Sequence, residues 1–163
     1  MKKKINIVVS WLFVACILTI IFYFSSQNSK KSESVSNSII NGTIGGVNNG
    51  EVLDKLENKY SKDLISAFFR NIGHLIEYAA LGFFMYNAMF QSFKKKKIFI
   101  FIFSIFSIIT IGAIDEIVQS FSDRNSNIID VCIDTAGGFI GIIGMICIYY
   151  LFDHFKNRKI KNI

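Results

Sequence analysis

The stretch Ile98–Phe121, IFIFIFSIFSIITIGAIDEIVQSF, runs for seventeen residues without a charge and then sets Asp115 beside Glu116. An α-helix of about 20 apolar residues, rising 1.5 Å each, crosses a hydrocarbon core of ~30 Å. The run therefore reads as a transmembrane helix, with the two carboxyls in its last turns. Such groups are costly there: roughly 2.5–3.5 kcal/mol each at the centre of a span on insertion scales, less near the interface. Adjacent acids also repel and are desolvated together, so this pair needs partners.

The rest of the chain repeats the pattern. Its 163 residues suit one domain, and 52% are hydrophobic, with no proline and a mean hydropathy of +0.42. That is far from a soluble composition. Ile5–Phe24 has Asn6 as its strongly polar residue, and Val131–Phe152 carries Asp134 as its charge. A further block, Leu64–Phe93, is long enough to cross but is interrupted by Arg70, His74 and Glu77. The sequence predicts an all-α integral membrane protein with four transmembrane helices, at about residues 5–24, 70–93, 98–119 and 131–152. A cleaved signal peptide is the competing reading of the first block. Twenty apolar residues exceed the usual ~7–15-residue core of such peptides, and FSSQNSK lacks a small-x-small cleavage site.

Charge sets the expected orientation. Lysines 2–4 precede the first block, Lys94–Lys97 join the second and third, and Lys156, Arg158, Lys159 and Lys161 follow the last. Residues 25–63 balance five lysines against five acids. By the positive-inside rule both termini and the lysine loop are cytoplasmic. The net charge of +6 is thus explained by orientation signals that can touch anionic lipid, and no nucleic-acid role is needed. In the outer loop, 25–69, Val52, Leu56, Tyr60, Leu64 and Phe68 recur every fourth residue. They predict an amphipathic helix on the outer surface leading into the second span. Cys16, Cys132 and Cys147 all fall in helix blocks. They have no metal-knuckle or disulfide spacing, and we expect them to be small buried hydrophobes.

Counting ~20 residues per crossing from each cytoplasmic anchor brings the ionisable residues to one level in the outer leaflet. Arg70, His74 and Glu77 share a stripe at i, i+4, i+7. Asp115 and Gln119 share another, with Glu116 beside them. Asp130 and Asp134 share a third, continued by Gly137, Gly141 and Gly144, and small residues at such spacing let another backbone approach closely. Six carboxyls at this level (Glu77, Asp115, Glu116, Asp123, Asp130, Asp134) outnumber Arg70 and Arg124 by four. At low dielectric some must hold protons, or a cation must bind. The layer is a candidate for general acid–base work, for a divalent cation, or for recognising a cationic group. Bland roles compete: Asp123 and Asp130 as interfacial charges or helix caps, and Arg70 reaching lipid phosphate.

At these residues the chain resembles the VanZ-like membrane proteins. The similarity lies in FSSQ after the first block, RNIGHLIEYAALG in the second, AIDEIVQSFSDR ending the third and DVCIDTAGGFIG in the fourth. The pattern of Arg-x-x-x-His followed by Glu and Tyr is met by Arg70, His74, Glu77 and Tyr78. Asp-Glu-x-x-Gln with a downstream Arg is met by Asp115, Glu116, Gln119 and Arg124, and Asp-x-x-x-Asp followed by glycine by Asp130, Asp134 and Gly138. The resemblance implies a multi-pass protein of the bacterial plasma membrane. The founding member is associated with low-level resistance to teicoplanin, a lipoglycopeptide antibiotic that acts on cell-wall precursors outside the membrane.

Three functions are then in competition. The first is an envelope protein, enzyme or not, acting on a lipid-linked cell-wall precursor or on the lipoglycopeptide. Asp115, Glu116, His74 and Glu77 would do acid–base work, while Arg70, Tyr78, Gln119, Arg124, Asp130 and Asp134 would bind the headgroup. No Ser/His/Asp or Cys nucleophile arrangement is present. The second is a non-catalytic membrane binder. The third, a small transporter, is weakest, because such sites sit near the midplane and the inner halves of the blocks lack charge.

Overall fold

The computed structural model describes residues 2–26, 62–93, 96–121 and 128–161. They form four helices: α1 Lys2–Ser25, α2 Lys62–Ser92, α3 Lys97–Ser120 and α4 Ile128–Lys161. No strand occurs among the described residues. Three helical stretches, Lys4–Ser25, Lys97–Ser120 and Ile129–Arg158, are long and apolar enough to cross a membrane. α2, with 31 residues, has the length but not the hydropathy, because Asn71, His74, Glu77, Asn87 and Gln91 interrupt it. Residues 51–61 of the expected amphipathic helix lie outside the described residues. Residues 62–69 are the first turns of α2 itself.

Each apolar helix buries one narrow stripe. In α3 it is Ile100, Ser104, Ile108, Gly112, Asp115 and Gln119, spaced by three or four so that they share a face. Phe103, Phe106, Ile102 and Ile117 point away and are more than half exposed. α1 buries Ser10, Val14, Ile21 and Ser25 and exposes Val8, Leu12 and Phe13. A soluble protein rarely exposes so continuous an apolar surface, whereas against lipid tails it carries no penalty.

α2 is the central helix and packs on all three others, most extensively on α4. Tyr78, Leu81, Met85, Tyr86 and Ala88 put its side chains into the core. Its approach to α4 is backbone on backbone. A Cβ at Gly137 would meet the Leu75 carbonyl, one at Gly141 the Ala79 carbonyl, and one at Gly82 the Gly138 carbonyl. The expected glycine stripe therefore faces α2. Contacts climb together along both helices, Gly137 with Leu75 and Gly141 with Ala79, so α2 and α4 run parallel. Gly112 lies by Val131 and Asp134 while Ile108 lies by Gly138, which makes α3 antiparallel to α4. Trp11 bonds Ser92 and Phe13 stacks on Phe84, so α1 is antiparallel to α2. The result is an up-down-up-down bundle.

A correction concerns the cysteines. Cys16, Cys132 and Cys147 are exposed, on the outward sides of their helices. A small apolar side chain is as well suited to a lipid-facing surface as to a core, and composition does not distinguish the two.

Candidate functional site

The site lies at the end of the bundle where α3 finishes and α4 begins. α3 extends its buried stripe to Asp115, which is fully buried. One turn on, the Gln119 Nε2 donates to Asp115 Oδ2 at 2.9 Å. α4 contributes Asp134, 1% exposed, on the face it turns to α2 and α3. Across from both, α2 holds His74. Its Nδ1 stands 3.4 Å from Asp134 Oδ1 and 3.9 Å from Asp115 Oδ2.

Neither of the two His74 contacts is closed by a hydrogen bond. His74 Nδ1, Asp115 Oδ1 and Asp134 Oδ1 are all buried without a hydrogen-bond partner. Buried polar atoms are nearly always paired, so an exception asks for a specific cause. The phenol of Tyr78, one turn along α2 from His74, is likewise buried and without a hydrogen-bond partner, within electrostatic reach of Asp115 and Asp134. The close α2–α4 approach produces this crowding. With Leu75 seated on Gly137 and Ala79 on Gly141, His74 and Tyr78 are carried against Asp134.

One turn from His74 and one turn from Asp134, toward the end of the bundle, lie Arg70 and Asp130. Their Nη2 and Oδ2 atoms are 3.9 Å apart, with the side chains 37% and 12% exposed. Asp130 sits in the first turn of α4, within the helix and not at its N-cap, where a carboxylate also favours the helix dipole. The site thus has two tiers: Arg70 with Asp130 near solvent, and His74, Asp115 and Asp134 beneath. Glu77 and Glu116 are half-buried at its sides, and Glu77 lies close enough to act on His74. Arg124 and Asp123 lie outside the described residues. His74, Asp115 and Asp134 each offer one ligand atom, all within 4.8 Å of one another, a set that could hold a metal ion.

The VanZ/LLP1 family model matches residues 10–152, taking in every tier of this arrangement. The chain belongs to the VanZ/LLP1 family. Among curated proteins and solved structures, none matches it. With three apolar spans and this family, whose name is associated with glycopeptide resistance, the chain is a membrane protein, helical throughout its regular described elements.

A second polar cluster in this VanZ/LLP1 protein escaped the sequence reading. Toward the other end of α2, the Asn87 and Gln91 amides donate to Ser10 Oγ at 3.1 and 3.0 Å. The Tyr149 hydroxyl donates to Asn87 Oδ1 at 2.7 Å, and Gln91 to the same oxygen at 2.9 Å. The network ties α1, α2 and α4 without a charge. Its sequence signal is Asn87 and Gln91 at i, i+4, on a face of α2 turned away from Tyr78.

On the side of α4 turned away from α2, an open groove of about 770 Å³ runs between α3 and α4. It is lined by apolar side chains such as Ile105, Ile109, Val131, Cys132 and Phe139.

Proposed function

We propose that this VanZ/LLP1 protein is a multi-pass protein of the bacterial plasma membrane with α2 as a fourth span and both ends cytoplasmic. Its two-tier polar site would face outward and engage the headgroup of a lipid-linked cell-wall precursor or of a lipid-tailed glycopeptide. The observation that carries the reading is the convergence of His74, Asp115 and Asp134 from three different helices, with polar atoms left over after the protein's own hydrogen bonds are made. Ionisable groups inside a membrane bundle are expensive and tend to be functional. Arg70, the more exposed partner of the upper tier, and Arg124 would hold phosphate oxygens. The buried tier would supply proton transfer, with His74 between Asp115 and Asp134, and Glu77 and Glu116 at its flanks. Tyr78, Gln119, Asp130 and Asp134 would orient the headgroup. The groove between α3 and α4 suits a lipid tail.

Susceptibility to teicoplanin in cells carrying Asp115→Asn or Asp134→Asn tests this. Each variant should lose the protective effect of the wild type while membrane abundance stays within about twofold. A phenotype that survives both substitutions would remove the site from the function. A parallel collapse of abundance would make the cluster a structural network.

A further inference from the structure

We propose that His74, Asp115 and Asp134 form a binding site for one divalent cation of the Mn²⁺ or Zn²⁺ kind. Three independent features point to it. The first is distance. Ligands ~2.1 Å from a shared ion stand about 3.0–3.4 Å apart when adjacent and about 4.2 Å apart when opposite. His74 Nδ1 lies 3.4 Å from Asp134 Oδ1 and 3.9 Å from the nearer carboxylate oxygen of Asp115, and one ligand atom from each residue falls within the same 4.8 Å.

The second is the set of unused atoms. Asp115 and Asp134 are 0% and 1% exposed, yet Asp115 Oδ1, Asp134 Oδ1 and His74 Nδ1 have no hydrogen-bond partner. An ion beside His74 Nδ1 and Asp134 Oδ1 would satisfy both, with one oxygen of the Asp115 carboxylate completing the set. Gln119 bonds Asp115 Oδ2, the oxygen that stands 3.9 Å from His74 Nδ1, and leaves Oδ1 without a partner. That is how ligating carboxylates are commonly oriented from behind.

The third is charge. In the deprotonated form that ligates a metal, two carboxylates and an imidazole carry −2, which a divalent cation cancels. Protonating His74 alone would cancel half. One imidazole with two carboxylates also selects the ion class: imidazole favours zinc and the later transition metals, carboxylates favour manganese and magnesium, and the mixed set suits Zn²⁺ or Mn²⁺ over Ca²⁺. Three protein ligands leave further places in an ion's shell for water or an anionic oxygen.

The test uses the full chain in detergent, stripped with a chelator and titrated with MnCl₂ while free Mn²⁺ is followed by electron paramagnetic resonance. Saturable uptake of one Mn²⁺ per chain, displaced by equimolar Zn²⁺, is expected. Gln119→Leu, which leaves the ligands in place, should weaken binding about 10–100-fold. Asp115→Asn and Asp134→Asn should weaken it more, and Asp153→Asn, on the exposed far turn of α4, should not change it. Absence of saturable binding by the wild type overturns the proposal, whatever the variants do. So does wild-type affinity in an Asp115→Asn/Asp134→Asn double variant that remains monodisperse. The headgroup reading is tested separately, by drug susceptibility, so a protein that binds no metal but still loses its phenotype on Asp115→Asn would separate the two.

Discussion

Gly141→Ala adds one methyl group where the Ala79 carbonyl of α2 already stands. The obstacle is backbone, so it cannot rotate aside, and α2 and α4 must separate locally. Overpacking of this kind costs roughly 1–3 kcal/mol. Replacing glycine by alanine in a helix also brings a propensity gain of about 1 kcal/mol, which would mask part of the loss. Gly73→Ala isolates that gain, because a Cβ there has nothing within 4 Å. The difference between the two variants is then the overpacking alone. At about 2–4 °C per kcal/mol for a chain of this size, Gly141→Ala should melt roughly 2–12 °C below Gly73→Ala. Gly144→Ala, whose Cβ would reach Phe83 at 3.9 Å, should behave like Gly73→Ala. The assay is the fraction of detergent-solubilised protein that stays monodisperse on size exclusion after heating. A Gly141→Ala protein as stable as Gly73→Ala would refute the close backbone contact, and with it the reason His74 and Tyr78 are held against Asp134.

Two further outcomes are expected. In a background freed of native cysteines, Ser26→Cys should react with a membrane-impermeant maleimide in intact cells and Lys96→Cys should not; the opposite pattern would invert the proposed orientation. Arg70→Gln should lower stability by less than about 1 kcal/mol, because a long, partly exposed pair at 3.9 Å is worth little. Its double-mutant cycle with Asp130→Asn should show a coupling of the same small size, and a larger one would mean the pair is buried in the membrane state.

Length and apolarity made the helices legible, and α3 is the clearest case: the span expected at 98–119 is the helix Lys97–Ser120. The three stripes were legible too, since i, i+4 spacing decides which residues share a face before any packing is known. What periodicity cannot show is how neighbouring faces divide one helix. Asp115 and Glu116 read as a single acidic pair, yet adjacent residues on a helix point about 100° apart. Only one of them can lie on the stripe of Ile108 and Gly112. Asp115 is that residue and is fully buried, while Glu116 sits half-buried to its side. Nor could the sequence show that Arg70 reaches Asp130, because pairing between helices depends on how far each slides along the other.

That sliding is fixed by the two polar clusters, which also explains the odd composition of α2. The least apolar of the four helices is the one enclosed by the other three. Lipid therefore meets few of its polar side chains, and each cluster supplies their partners. Near the site, His74 faces Asp115 and Asp134. Farther along, Asn87 and Gln91 bond Ser10 and Asn87 accepts from Tyr149. From His74 to Asn87 is thirteen residues, about 20 Å of helix at 1.5 Å per residue, so the helix is pinned at two well-separated points. Moving α2 by one turn, ~5.4 Å, would break both clusters at once and drive Ala79 and Leu75 off the glycines that admit them. A polar helix that cannot be recognised as a span by hydropathy is what a span looks like when its neighbours, not lipid, are its solvent. This is the reason we propose α2 as a fourth span.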